Sequence, residues 1–124
     1  MFRDPSEGLL DELARRLNVA VTDDGDALVF PDATVYVQFG YGGPGHVLLD
    51  SIAAHPQGTG AGTRVMHALM TVAAERNLPV KLFDVKNPVF FTRLGFDMDT
   101  DRFGLVEGLW KPPAGGCGAA PAAP

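Results

Sequence analysis

The chain has almost no cysteine: Cys117 is the single one among 124 residues. One thiol cannot close an internal disulfide, so no oxidative staple is expected, and a reducing compartment fits. Long apolar runs are missing too. None nears the ~20 residues that span a bilayer, which argues against a membrane partner. Met1-Phe2-Arg3-Asp4-Pro5 holds no apolar signal stretch, so a cytoplasmic location is the expectation. Cations are scarce: ten Lys and Arg against fifteen Asp and Glu leave a net charge of −5. That balance offers no basic face for nucleic acid, and none is expected as a partner. A small cationic substrate such as an amine would instead be attracted. What is present suits a globular domain: 46% hydrophobic and 20% charged residues, on a chain long enough for a real core. A single domain over 1–111 is expected, followed by a Pro-, Gly- and Ala-rich tail over 112–124 that cannot bury a core and is expected to be disordered.

Apolar spacing divides the domain into elements. Leu9, Leu10, Leu13, Ala14 and Leu17 form one stripe of a helix over 6–17, with Ser6 as its cap and Asn18 as a left-handed stop. Short strands follow over 19–22 and 27–30, joined by an Asp23-Asp24-Gly25-Asp26 turn. Those aspartates lack the spacing and closing Glu of a calcium loop and read as a solvated turn. A third strand over 34–39 alternates Val35, Val37 and Phe39 with Thr34, Tyr36 and Gln38. A fourth, over 46–54, is nearly all apolar, so cover on both faces is expected. Asp50 interrupts it, and a carboxylate there costs free energy unless it is paired or used.

Next comes Gln57-Gly58-Thr59-Gly60-Ala61-Gly62, followed by a helix over 63–77 with Val65, Leu69, Val72 and Ala73 on one face and Met66 and Met70 beside it. A strand over 80–85 must run parallel to the fourth, because a helix joins them. Asn87-Pro88 opens a short helix over 89–94, closed by Gly95. Strands over 96–98 and 103–110 flank an Asp99-Thr100-Asp101 turn, and an exposed last strand makes a homodimer plausible.

The glycine stretch carries the chemistry. Its glycines let the backbone approach a ligand, and a helix starting there adds unpaired N–H groups and the positive end of its dipole. Strand, glycine loop and helix start together form an anion cradle, best suited to phosphate. A triphosphate loop would end in Gly-Lys-Ser/Thr, but Gly62-Thr63-Arg64 has no lysine. A dinucleotide loop would place a further glycine at Thr63. Gly40-Tyr41-Gly42-Gly43-Pro44-Gly45 matches a dinucleotide pattern by letter only: it holds Pro44 and runs into a strand, so it reads as a hairpin loop.

What remains, Gln57-x-x-Gly60-x-Gly62, resembles the Gln/Arg-x-x-Gly-x-Gly/Ala signature of the GNAT N-acetyltransferase superfamily. Ile52-Ala53-Ala54-His55-Pro56 before it, and Asn87 followed by Phe90-Phe91-Thr92-Arg93-Leu94-Gly95-Phe96, extend the resemblance over about 47–96. It implies an α/β fold: a mixed central sheet of about six to seven strands with a splayed parallel pair, flanked by about three helices. It implies acetyl-CoA as co-substrate, its pyrophosphate held by Gln57, Gly58, Thr59, Gly60, Ala61, Gly62 and Thr63, and its pantetheine arm along Ile52, Ala53 and Ala54 near Asn87. The acceptor would be a primary amine of a small molecule or a protein. Phe91 stands where relatives commonly carry a tyrosine that protonates the leaving thiolate. One short helix precedes the third strand where relatives usually have two. These departures leave room for a catalytically weak acyl-CoA-binding or regulatory domain. Candidates for the base are His46, Asp50, Glu107 or water, with Asp50 alternatively binding the amine.

Overall fold

The computed structural model describes residues 8–40 and 45–112. Ser6, Tyr41, Pro44, Cys117 and nearly all of the expected tail lie outside them. The elements run α1 (Leu9–Leu17), β1 (Ala20–Val21), β2 (Ala27–Val29), β3 (Thr34–Gly40), β4 (Val47–His55), α2 (Ala61–Glu75), β5 (Val80–Leu82), α3 (Pro88–Leu94), β6 (Asp97–Thr100) and β7 (Val106–Trp110). The strands form one seven-stranded sheet in the order β1-β2-β3-β4-β5-β7-β6. Among the described residues only β4 and β5 pair in parallel, as the intervening helix requires. No helix among the described residues is long and apolar enough to cross a membrane.

α1 begins after Gly8 and buries Leu9, Leu13 and Ala14; Asn18 ends it in the left-handed region at φ 57°. α2 buries the expected face, Val65, Met66, Leu69, Met70, Val72 and Ala73. The two helices pack on each other and on one sheet face, where they meet Leu28, Val35, Val37, Leu49 and Val80. Arg16 ties them at the rim, its Nη1 donating to Glu75 Oε2 at 2.8 Å, while its Nε donates to Glu12 Oε2 at 2.8 Å. On the opposite face Tyr36 is exposed and meets the His55 ring edge-on at 5.6 Å.

Four expectations need correction. β4 is not covered on both faces: Val47 and Leu49 are buried, but Asp50, Ser51, Ala53 and His55 are exposed, because among the described residues neither helix nor strand covers that side of this half. β5 stops at Leu82 rather than Val85; Asp84 adopts φ 55°, which no strand tolerates. The turn expected at Asp99–Asp101 falls later. Asp101 Oδ1 accepts the N–H groups of Phe103 (2.8 Å) and Leu105 (3.0 Å), and this turn takes Arg102-Phe103-Gly104 out of the last strand. Finally, β7 is not an edge, since it lies between β5 and β6. The edge beside it is β6, where the carboxylates of Asp97 and Asp99 discourage pairing with another chain.

Candidate functional site

β4 and β5 pair over Val47↔Val80, Leu48↔Lys81 and Leu49↔Leu82, and no further. β4 continues to His55 while the segment after β5 turns away at Asp84. Beyond Leu49, the backbone groups of β4 that point away from β3 have no strand to pair with among the described residues. A bulge adds to the divergence: Gln38 faces Ser51 but Phe39 faces Leu49, so Asp50 is the extra residue. A bulge bends its strand and re-aims the inserted side chain.

The main cavity, about 440 Å³, opens where this split meets the glycine loop. It is lined by Ile52, Ala53 and Ala54 of β4, by Gln57, Gly58, Thr59, Gly60, Gly62 and Thr63 of the loop and α2, and by Asn87, Phe90 and Phe91 of α3. Of the sequence-derived cofactor residues, Ala61 alone is not at this wall. Its side chain is buried, and its N–H donates to Thr59 Oγ1 at 3.3 Å. The loop keeps its glycines for backbone reasons: Gly58 sits at φ 86° and Gly60, the cap of α2, at φ 82°. Among the described residues, the N–H groups of Gly60, Gly62 and Thr63 find no acceptor within the chain. Unclaimed donors at the positive end of a fifteen-residue helix form a cradle for an anion.

A second cavity of about 150 Å³ occupies the split itself, between Leu49 to Ile52 on one side and Leu82 to Asn87 on the other. It shares Ile52, Asn87 and Phe91 with the main cavity, so the two adjoin. At their junction stands Phe91, buried and packed edge-on against Phe90 (5.0 Å) and Phe96 (5.6 Å), with no hydroxyl to offer. Asn87 caps α3, its Oδ1 accepting the Phe90 N–H at 3.4 Å, which leaves its amide N–H groups available to a ligand.

Asp50 lines the cavity in the split and also borders a third concavity of about 550 Å³, whose wall includes Asp11 and Asp26. Among the described residues no Lys or Arg pairs with Asp50. His46 is not brought to this site. The neighbouring Val47 N–H bonds Pro79 O at 2.9 Å, at the opposite end of the parallel pair. Four residues of strand separate His46 from Asp50, about 13 Å at the usual rise. His46 lines none of these cavities, nor does Glu107, which stands opposite Asp99 on the far side of the sheet.

The fold is GNAT-like. Its seven-stranded mixed sheet holds one short parallel pair that parts above a glycine loop, with three helices around it, the architecture that the motifs implied. No family model matches the chain, and no curated protein matches it either. Among solved structures, the chain is similar to Arabidopsis thaliana Naa50 in complex with a bisubstrate analogue, CoA-Ac-MVNAL, at 14% identity and a TM-score of 0.48, over 86% of this chain and 92% of that one. It is similar to Ard1 from Thermoplasma volcanium at 14% identity and a TM-score of 0.47, over 83% and 76%. It is also similar to a chain of the KacTA–DNA complex at 22% identity and a TM-score of 0.48, over 89% and 82%.

Two contributions escaped the reading of the sequence. Phe90 lines the main cavity beside Phe91. The segment from Phe83 to Lys86 walls the split, although it looked like the end of a strand. The signal for Phe90 was present in the Phe90-Phe91 pair. Nothing local announced the bend at Asp84.

Proposed function

We propose that this protein is an N-acetyltransferase that moves an acetyl group from acetyl-CoA to a primary amine by direct attack. One observation carries the reading: the unclaimed N–H groups at the head of α2 open into a cavity that adjoins the one in the β4–β5 split, which Asp50 lines. A pyrophosphate suits the first part, a narrow flexible arm the second, and a reacting thioester the end.

The chemistry then makes three demands. The amine must lose a proton to attack the thioester carbonyl carbon. The oxygen gains charge as the C–N bond forms. The C–S bond then breaks and the thiolate takes up a proton. Backbone N–H groups of β4, freed where β5 departs, can stabilise the oxyanion without any side chain. Asp50 faces both the split and the acidic concavity. A cationic amine entering from that side would meet Asp11, Asp26 and Asp50 and give its proton to Asp50, directly or through water. The thiolate, with a reference pKa of roughly 8.5, leaves without a strong acid.

A second reading has one observation in its favour. Phe91 puts a bare ring at the junction where an acid would help, which suits a catalytically weak acyl-CoA-binding or regulatory domain. Calorimetry with acetyl-CoA, then release of free CoA across a panel of small amines and peptides, separates the cases. Binding with turnover supports the transferase. Binding without turnover supports the weak domain. Absence of binding would sink both.

A further inference from the structure

α1 and α2 cover one face of the sheet, and α3 joins the same core. Gly108 marks how closely that face is packed at β5, β7 and β6: a Cβ there would lie 2.8 Å from Leu82 Cδ1 and 2.9 Å from Met98 Sδ. Strand residues alternate between faces. The neighbours of Leu82, Gly108 and Met98 therefore point to the other side, where Lys81, Leu109, Asp97 and Asp99 are exposed and Glu107 is half-buried. The register sets Leu48, Lys81, Leu109 and Asp97 in one row across the strands. Glu107 and Asp99 form a second rung on the same face.

The charges on this face are divided. Leu109, 36% exposed, is at the centre. Lys81 flanks it on β5, and Lys111, also exposed, continues the alternation beyond it. Asp97 flanks it on the opposite side, and Glu107 precedes it along β7 with Asp99 alongside. Cations thus hold one corner around an apolar centre, and carboxylates hold the opposite corner. They do not neutralise one another within the chain. Two strand spacings, roughly 10 Å, separate Lys81 from Asp97. Among the described residues none of these groups takes part in an ion pair.

A surface with cations at one corner and anions at the other is complementary to itself turned over. A two-fold axis lying in the contact plane, between the two corners, brings Lys81 of one copy to Glu107 of the other and Asp97 to Lys111. Leu109 meets its own counterpart, and each ionic pairing occurs twice. The strands of the two sheets then cross near 90°, one of the two common ways in which sheets stack about 10 Å apart. We propose that this protein associates with a second copy through the open face of β5, β7 and β6, with Lys81–Glu107 as the pairing that sets the alignment. The contact is face to face, not along the β6 edge. Strands about 4.8 Å apart give a face of only a few hundred Å² per copy, below the ~800 Å² of a standard interface, so the dimer is a weak one. The assignment does not depend on the acetyl-CoA reading.

The test is sedimentation velocity on the whole chain. The wild type should pass from monomer to dimer between about 1 μM and 1 mM, the range of a small interface. Association should weaken as salt rises. Lys81→Glu alone and Glu107→Lys alone each set like charges opposite one another twice, so each should weaken association by about tenfold or more. The two substitutions together exchange the charges and should restore it, which also reports that neither change unfolds the chain. An equimolar mixture of the two single variants should associate more than either alone, because both contacts of the mixed dimer join opposite charges. A wild type that stays monomeric throughout overturns the assignment. So does association that the single variants leave unchanged, or a double variant no better than the single ones.

Discussion

Leu49 faces Leu82 on the last rung of the parallel ladder, and both are only 2% exposed. Below this pair the sheet is closed and packed under α2. Above it β4 and the β5–α3 connection separate, and every cavity-lining residue of β4 lies on that side or at the pair itself. The two leucines form the floor of the cleft. They also mark the boundary between residues that hold the fold and residues free to contact a ligand.

The glycine loop makes a contrast available within two residues. Gly60 sits at φ 82°, where a Cβ costs roughly 1–2 kcal/mol, so Gly60→Ala should displace the loop and weaken acetyl-CoA binding by about tenfold or more. At Gly62 φ is ordinary and an added Cβ would meet only the Ala54 Cβ at 3.9 Å, a normal contact. Gly62→Ala should keep the affinity within roughly threefold. Calorimetry on both variants checks this; equal losses would mean that backbone conformation is not what the loop contributes.

Asp50 and His46 are expected to behave in opposite ways. Asp50→Asn should lower turnover by about 10²-fold while leaving acetyl-CoA affinity unchanged, as for a group that handles the acceptor's proton. His46→Ala, remote from the split, should stay within roughly threefold of the wild type. Steady-state kinetics with a responsive amine decides. Full activity in Asp50→Asn removes it from the mechanism.

Phe91→Tyr puts a hydroxyl at the junction of the main cavity and the split. If protonation of the thiolate limits the rate, turnover should rise by about tenfold or more. Unchanged turnover in a variant that still binds acetyl-CoA would show that departure of the thiolate is not the slow event.

Glu12 ties stability to pH. Hydrogen bonds from Arg16 and then Arg15 hold its carboxyl down at about 2, from an ordinary 4.5. A pKa lower in the folded state stabilises the fold above the ordinary value, and the stabilisation fades as pH falls through the folded one. Glu75, lowered by its hydrogen bond from Arg16, acts in the same direction. Glu12→Gln should therefore melt below the wild type at neutral pH, with a constant gap down to about pH 5 that closes toward pH 2. Thermal melts across that range measure it. A gap that widened with acid would refute the pairing.

Where one element contains its own cause, the chain can be read directly. The stripe of α1, the buried face of α2 and the Asn87 cap and Gly95 stop of α3 are all local patterns, and each stands where periodicity and capping put it. The glycine loop belongs with them, because left-handed backbone and a helix start are properties of a few consecutive residues. So does its resemblance to a CoA-binding motif.

Other features depend on partners far away in the chain. The apolar letters of β4 suggest cover on both faces, but whether a strand is covered depends on what packs there, and beyond Leu49 the parallel partner has left. β7 is last in sequence yet interior in the sheet, since β6 takes the edge. Spacing from the loop favoured His46 as a base. The bulge at Asp50 and the position of the split put the acidic side chain at the cleft instead. By itself, then, the sequence determined the helices, the glycine loop at the head of α2 and the parallel pair that a connecting helix demands. Only the tertiary structure decided where that pair separates and which carboxylate it exposes, because those depend on surfaces that distant segments leave uncovered.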